Sequence, residues 1–543
     1  MSDLFDVIVI GSGPAGVHAS VPLVDAGLRV AMVDGGNEPS PALEQTPALP
    51  YEKIRETCND QYRWFLGDDF SGIPLDEMSL GRRGSIVSGQ RRFVTDKTDE
   101  YFPVQLLGAQ VIQTLAKGGL AAAWGGVCAY FSPSELEALG IPAEEMERHY
   151  DLVTTRIGVS GPLTRTGIQS PGHLDHHAAK IMGAYHKKKK TFDAMKISVT
   201  QPYSAVLTED LGHRKATAYR DMDYWLDPER SIYRPQYTLE ELRKSSCFSY
   251  FGGQLVRHID EGLDGCQVYS SALHSPRGVS VLKGRRVIMA AGAIGTARIL
   301  LRSLGLYDRE IPFLAKPHWL VACLHPATLG QAGVKERLSL CQLVVSDEKT
   351  DSREESLSAG YAQLYSFKSL GLIRMLGFLP APVPEAFGLL SVFVPSLVIA
   401  DLRFPHHPSS HKTLKLMRSS GGEDRVIIRM QEEPGELSRN HDSRKRILKA
   451  LKGLGLLPLK QKALPYGSTG HYAGTVPFSP SASSHALSVD TNGQLHQARH
   501  IYVADSSVFT FLPAKSICMT IMANANRIGE RVRAVLEGGL DSQ

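Results

Sequence analysis

This sequence has few cysteines, little net charge and no long apolar run. Its seven cysteines among 543 residues stand far apart, are odd in number and form no C-x-x-C pair, which excludes a disulfide framework and a thiolate zinc site. Reduced thiols in a cytoplasmic compartment are expected. Sixty Lys and Arg against 56 Asp and Glu leave a net +4, too little over this length to argue for nucleic acid. No stretch reaches the roughly 18 apolar residues that a spanning helix needs. The most apolar region, Leu370–Ala400, is cut by Pro380, Pro382, Pro384 and Pro395 and carries Arg374 and Glu385. It reads as strands and turns, with a membrane- or partner-facing patch as the lesser alternative. Met1, Ser2 and Asp3 lead straight into a strand without a basic leader, so no targeting segment is expected. His173, His176 and His177 cluster, but no partner cysteine or H-E-x-x-H pattern accompanies them, and no metal site is expected. No internal repeat is visible.

What is present begins at Asp6–Asp34. A strand (Val7–Ile10), a glycine turn, a helix up to Gly27 and a second strand (Arg29–Val33) ending on Asp34 follow in order. The turn Gly11-Ser12-Gly13-Pro14-Ala15-Gly16 meets the G-x-G-x-x-G spacing in its required strand-to-helix context. Gly11 permits the tight turn, Gly13 lets the backbone approach a pyrophosphate, and Gly16 lets the helix lie close on the strand. Pro14 suits the first helical turn. The helix N-terminus offers free N–H groups to phosphate. Asp34 lies roughly twenty residues on, where a carboxylate can accept hydrogen bonds from a ribose diol. Dinucleotide binding is the reading; a glycine turn in a nucleotide-free α/β domain is its alternative. This unit alone leaves FAD and NAD open.

Farther along, a helical stretch is expected near Tyr51–Leu66, then a polar, loop-rich segment whose arginine pairs (Arg82, Arg83, Arg91, Arg92) read as solvated surface rather than phosphate ligands. In Lys117–Gly126 four glycines and three alanines in ten residues imply backbone packed on something flat or on another backbone. Helices are expected at Ser134–Leu139 and Ala143–Thr154, and residues 155 to 235 are poorly periodic. His186–Lys190 reads as an exposed charged face, with an anionic substrate or surface as the sharper alternative. Strand-like runs at Cys247–Phe251, Leu255–Ile259 and Val279–Leu282 lead to the apolar strand Arg286–Ala291, which Gly292–Thr296 turns into a helix, Ala297–Leu304. Beyond it, strands are expected at Leu340–Val345, Leu397–Phe404 and Val426–Met430, a basic helix near Arg444–Leu454, and a closing helix from Ile517 to Leu536.

Three separated segments point one way. The G-S-G-P-A-G unit with Asp34, the strand Val287–Gly295, and the C-terminal pair H-Y-A-G-T (His471–Thr475) and Y-V-A-D-S-S-V-F (Tyr502–Phe509) together resemble the glucose–methanol–choline family of FAD-dependent oxidoreductases. The resemblance implies that Gly11, Gly13, Pro14, Ala15, Gly16, Asp34 and Gly35 hold the ADP half of FAD. It adds Val256 and Gly292 to the cofactor site, lays Trp124, Gly125 and Gly126 against the isoalloxazine, and puts Asp505 and Val508 near the ribityl and ring region. His471 matches the family's active-site histidine, suited to removing a hydroxyl proton while hydride passes to flavin N5. Where most members carry a second histidine or an asparagine, this chain has Ser516, with neighbouring Lys515 as a further source of the missing contact. In the pyranose-oxidase branch the residue before the tryptophan can be a flavin-linked histidine; here it is Ala123, so FAD is expected to be non-covalent.

The fold expected is α/β: a Rossmann-type FAD domain assembled from discontinuous segments, plus an α+β substrate domain with an antiparallel sheet. The segments are 1–130, 240–305 and 470–543 for the first, and 131–239 and 306–469 for the second. The function implied is oxidation of an alcohol of a sugar, aminosugar, aminoglycoside or other polyol, with oxygen or a carrier as electron acceptor and no nucleic-acid partner or transmembrane segment. The alternatives are a lyase that keeps FAD and a redox-inactive flavoprotein, the latter suggested by Ser516. An NAD-only dehydrogenase would leave the C-terminal segments without a purpose.

Overall fold

The computed structural model describes residues 4–39, 47, 49, 53–54, 57–60, 89–219, 227–273, 275–329, 338, 340–348, 357, 359–366, 396–419, 423–482 and 485–538. Most of the helix expected near Tyr51–Leu66, Arg82 and Arg83, and nearly all of Leu370–Ala400 lie outside them. Among the described residues no helix is long and apolar enough to cross a membrane.

Two large sheets organise the chain. The first has seven strands, and its centre is the strand Leu4–Ile10, whose residues Val7 to Val9 are fully buried. That strand pairs in parallel with Val30–Val33 on one side and with Ser275–Met289 on the other. Val30–Val33 pairs in turn, also in parallel, with Phe248–Phe251. A near-continuous Val, Ile and Met content is what a parallel strand covered on both faces requires. Val279–Leu282 and Arg286–Ala291, expected as separate strands, are one strand of 15 residues. Its first part pairs antiparallel with Cys266–Ala272, and its last three residues pair in parallel with Ile501–Val503. One long strand therefore joins an antiparallel flap to a parallel core without a break.

The helix Pro14–Asp25 covers one face of this sheet and is itself covered by the closing helix Cys518–Leu536. Their approach is close: a Cβ on Gly529 would stand 2.3 Å from the Ala19 carbonyl oxygen. Small residues at this crossing bring the last helix of the chain against the first, and so bring Ile517 and Cys518 to the glycine turn's cleft.

The second sheet is antiparallel and six-stranded, in the order Leu457–Leu464, His318–Leu324, Leu397–Arg403, Tyr361–Ser366, Leu343–Asp347, Ile197–Thr200. Alternation divides its two faces. Val321, Cys323, Ala362, Leu364, Ala400 and Leu402 face a core shared with the helix Pro434–Gly453, through Ile447, Ala450 and Leu451. That helix begins ten residues earlier than its basic stretch suggested, because Pro434 opens it. The opposite face carries His318, Gln363, Asp401 and Arg403, with Gln363 opposite Asp401 and Arg403 opposite His318. A four-stranded sheet from Ile311–Pro312, Lys412–Met417, Arg425–Met430 and Val104–Leu107 lies in the continuous core with the first sheet.

Residues 155 to 235, poorly periodic in sequence, hold a helix at His176–Lys187 that Asp175 caps by accepting from the Ala178 N–H at 3.0 Å. The lysine run closes that helix, where its dipole favours cations. Arg91, expected at the surface, is buried and donates to the Ala123 carbonyl at 2.9 Å.

Candidate active site

The strand Leu4–Ile10 ends in the interior, and the chain must turn at once into the helix Pro14–Asp25. Gly11 makes that turn at φ +104°, and a Cβ there would stand 2.5 Å from the Ala290 carbonyl oxygen. Both conformation and space therefore demand glycine. Gly16 sits behind the turn with its Cβ position 1.8 Å from the Gly11 carbonyl oxygen. Gly13 is different: at φ −64° any residue fits, and the nearest atom to its Cβ position is Gly119 Cα at 3.9 Å. Gly13 faces a cleft. Because it caps the helix with no side-chain oxygen, the first-turn N–H groups are left for an anion.

Asp34 ties the turn to the second strand. Its Oδ1 accepts from the Ser12 backbone N–H at 3.0 Å, and its Oδ2 accepts from Ser12 Oγ at 2.8 Å and from the Gly36 N–H and Tyr250 hydroxyl at 3.0 Å each. Burial pushes its carboxyl up from the usual range, against those four donors. Oδ1 thus accepts one of these bonds and Oδ2 three. Gly35 follows, pressed against the Leu115 carbonyl at 2.7 Å from its Cβ position.

A cleft of about 220 Å³ is lined by the glycine turn, by Val256 and Gly292, and by Gly470, His471, Tyr472, Ile517, Cys518 and Ile521. These last residues belong to the C-terminal segment. Tyr472 and Ala473 pair with Ala315 and Leu314, and the Tyr472 hydroxyl donates to the Gly467 carbonyl at 2.8 Å. Between those anchors Gly470, at φ +73°, projects His471 into the cleft. The His471 N–H donates to Thr469 Oγ1 at 3.2 Å, and its Nδ1 is buried with no partner among the described residues. Burial, then Lys316 and Arg403, hold the imidazole well below its ordinary range, Asp401 opposing them. His471 is therefore a neutral ring with an unused nitrogen, the form that accepts a proton. Cys518, also lining the cleft, has its thiol pushed up to about 12 by burial and carries no thiolate chemistry.

Residues 415–525 match the family described as GMC oxidoreductase. Over that stretch, about a fifth of its length, the chain is similar to the GMC oxidoreductases. Among curated proteins, an opine oxidase subunit from Agrobacterium tumefaciens (strain Ach5) is 37% identical over 78 residues, a stretch that spans 14% of this chain and 14% of that relative's length. Among solved structures, pyridoxine 4-oxidase from Mesorbium loti superposes with a TM-score of 0.58 at 15% identity, over 97% of this chain and 99% of that one. That likeness is one of fold.

In this chain the cleft is lined by Gly11, Gly13, Pro14, Ala15, Asp34, Gly35, Val256, Gly292, His471 and Asp505. Gly16 lies behind the wall as a packing residue. Three further groups expected at the site stand away from this cleft. Trp124, Gly125 and Gly126 do not line the cleft: the Trp124 indole N–H donates to the Tyr233 carbonyl, and Gly126 packs on Val206. The same glycine-rich run reaches the cleft earlier, through Gly119, Leu120 and Ala121, because Arg91 and Arg234 hold the Ala123 and Ala122 carbonyls on the other side of the turn. Val508 is fully buried in the core, away from the cleft. Lys515 points elsewhere, with Nζ 2.9 Å from Glu135 Oε2 in an ion pair; that carboxyl also closes the capping box of the helix Pro133–Leu139.

Ser516 is buried beside the lining residue Ile517 and does not itself line the cleft; it accepts from Gln363 Nε2 at 3.3 Å, while Gln363 Oε1 accepts from the Tyr365 hydroxyl at 2.6 Å. Asp505 works through four bonds: its Oδ2 accepts from the Gly292 N–H at 2.8 Å and Thr296 Oγ1 at 2.6 Å, and its Oδ1 accepts from the Ser507 N–H at 2.9 Å and the Ser507 hydroxyl. It thus caps the helix Gly292–Ser303, which has no side-chain cap of its own.

Sequence reasoning missed the polar face of the six-stranded sheet. His318 Nδ1 lies 3.0 Å from Asp401 Oδ1, and its Nε2 lies 2.8 Å from Ser468 Oγ. Arg403 donates twice to Asp401 Oδ2, at 2.9 and 2.7 Å. Burial opposes the Asp401 charge, but Arg403 and His318 prevail and hold its carboxyl well below the usual range. Lys316 is fully buried. One signal was available: Asp401 and Arg403 stand two apart in an otherwise apolar strand, which puts both charges on one face.

Proposed function

We propose that this chain is an FAD-dependent oxidoreductase that oxidises an alcohol group of a polar small molecule to a carbonyl, with His471 as the base. The observation that carries the reading is that a single cleft joins the glycine turn Gly11–Ala15 to the unpartnered imidazole of His471. The residues fit the cofactor: an open helix N-terminus and the glycine-walled approach between Gly13 and Gly119 suit a pyrophosphate, and Asp34 suits a ribose. Gly11, Gly13, Pro14, Ala15, Asp34 and Gly35 would hold the ADP half, and Val256, Gly292 and Asp505 would line the path toward the ring. Ala123 offers no nucleophile for a covalent link, and non-covalent FAD is the corresponding reading. When bound, the flavin supplies the hydride acceptor.

The chain's own residues supply the rest. His471 takes the hydroxyl proton on an imidazole nitrogen, and its neutral form persists because burial and two neighbouring cations disfavour a further positive charge. Ser516, oriented by Gln363, offers the substrate oxygen a hydrogen bond where a longer amide or imidazole would otherwise reach. The Ile517, Cys518 and Ile521 side of the cleft is mainly apolar and excludes water from the transfer. For substrates we favour sugars, aminosugars such as aminoglycosides, and other polyols. Oxygen or a small carrier is the electron acceptor. Seven unpaired cysteines suit a cytoplasmic site of action.

The test is anaerobic flavin absorbance of the purified protein titrated with a panel of sugars, aminoglycosides and simple alcohols, followed by air. Bleaching by an alcohol is expected. Bound flavin that no alcohol bleaches, but that stays oxidised while a compound is cleaved, would instead support the lyase reading.

A further inference from the structure

Lys316 has entered so far only as one of two cations beside His471. It is fully buried, its Nζ donates to the main-chain carbonyls of Ala514, at 3.2 Å, and Lys515, and it pairs with no carboxylate among the described residues. Its own backbone N–H donates to the His471 carbonyl at 3.4 Å, directly after the bridge that pairs Leu314 and Ala315 with Ala473 and Tyr472. One residue thus ties the segment that carries His471 to the segment that carries Ser516.

We propose that Lys316 is a positioning residue of the alcohol-oxidation site: its ammonium pins the turn Ala514–Ser516 and keeps the adjacent His471 imidazole unprotonated, ready to act as base. The inference rests on the reading of His471 as that base. The charged and titratable groups facing His471 are Lys316, Arg403, Asp401 and His318; those facing Lys316 are Arg403, Asp401, Cys518 and Glu135. Asp401 cannot neutralise a further cation well, because Arg403 and His318 already occupy both its oxygens. Burial therefore disfavours charge on Lys316 and on His471 alike. A lysine starts about four pH units above a histidine, and this one has two carbonyl acceptors where His471 Nδ1 has none. The proton resides on the lysine, and the histidine stays free.

The experiment compares Lys316→Gln, which keeps a donor for the carbonyls but removes the charge, with Lys316→Arg, which keeps the charge. Ring protonation of His471 is followed by NMR in histidine-labelled, flavin-loaded protein, the signal being assigned by its loss in His471→Asn. In the glutamine protein the His471 midpoint should rise by about one pH unit or more, a tenfold change in protonation ratio, and the acid limb of flavin reduction should move with it. The arginine protein should titrate like the parent. An unmoved midpoint in the glutamine protein overturns the proposal. So does a glutamine or arginine protein that fails to fold, since the lysine would then be a structural brace. The titration needs no turnover, so a parent protein that oxidises no alcohol refutes the activity separately.

Discussion

Two glycines of the first turn should respond to the same substitution in opposite ways. Gly16→Ala places a methyl group 1.8 Å from the Gly11 carbonyl oxygen, and carbon and oxygen that are not bonded do not approach within about 3 Å. The helix Pro14–Asp25 would have to retreat by about 1.2 Å, and the obstacle is backbone, which cannot rotate away. Alanine restores about 1 kcal/mol of helix propensity, while overpacking against backbone that cannot yield lies at the upper end of about 1–3 kcal/mol, so a net loss of about 2 kcal/mol is expected. Gly13→Ala meets nothing nearer than 3.9 Å and needs no unusual φ. Its flavin-free stability should stay within about 0.5 kcal/mol of the parent. Its methyl group, however, narrows the passage between Gly13 and Gly119, and FAD affinity should fall at least tenfold. Thermal unfolding of flavin-free protein with and without added FAD separates the two effects, because ligand stabilisation follows the dissociation constant. A Gly16→Ala protein that melts with the parent, or a Gly13→Ala protein stabilised by FAD as fully as the parent, would refute the packing argument.

Other outcomes follow from the same geometry. His471→Ala should slow flavin reduction by an alcohol about 10²- to 10⁴-fold while FAD stays bound; reduction at the parent rate in stopped flow removes the base assignment. Ser516→Ala should cost less than about tenfold, because the serine contributes one hydrogen bond, and an equal loss would make it an essential partner. Asp505→Ala strips four hydrogen bonds and the cap from the helix Gly292–Ser303, with an expected loss of about 1–3 kcal/mol in denaturant unfolding. Stability should also fall with acid. His18 and His406 are fully buried and held well below the ordinary histidine range by burial first, and His325 is held at about 4 by burial first. Each binds its proton later in the folded chain than in the unfolded one, so its contribution is intact above about pH 6.5 and is lost as pH falls from there, at about 1.4 kcal/mol per unit for each group. A thermal midpoint that is flat from pH 7 to pH 5 would contradict this.

Local chemistry accounts for the parts of this molecule that could be read in advance. The strand, turn and helix at the start are announced within 30 residues, because a glycine at positive φ and a periodic helix are properties of short segments. The segment around His471 is legible for a similar reason: Gly470 and Gly474 both take positive φ, and their spacing marks a backbone that must bend sharply around one side chain. The strands Ile197–Thr200, Tyr361–Ser366 and Leu457–Leu464 were not legible. Leu457–Leu464 is largely exposed, so no burial pattern marks it, and each is held by partners up to some 150 residues away.

By itself, the sequence determined the glycine turn and the position of its following acid, since each depends on backbone geometry that only certain residues adopt, while His471 was singled out by the family resemblance of its segment. Tertiary structure alone decided which side chains meet His471. Lys316 precedes the strand that carries His318, Asp401 and Arg403 share the next strand, and pairing register sets His318, Asp401 and Arg403 on one face. It also turned Lys515 toward Glu135 and Trp124 toward Tyr233, because a long side chain takes whichever partner the packing leaves within reach. Charge and direction at a site are sums over neighbours distant in the chain, and only the folded packing supplies that sum.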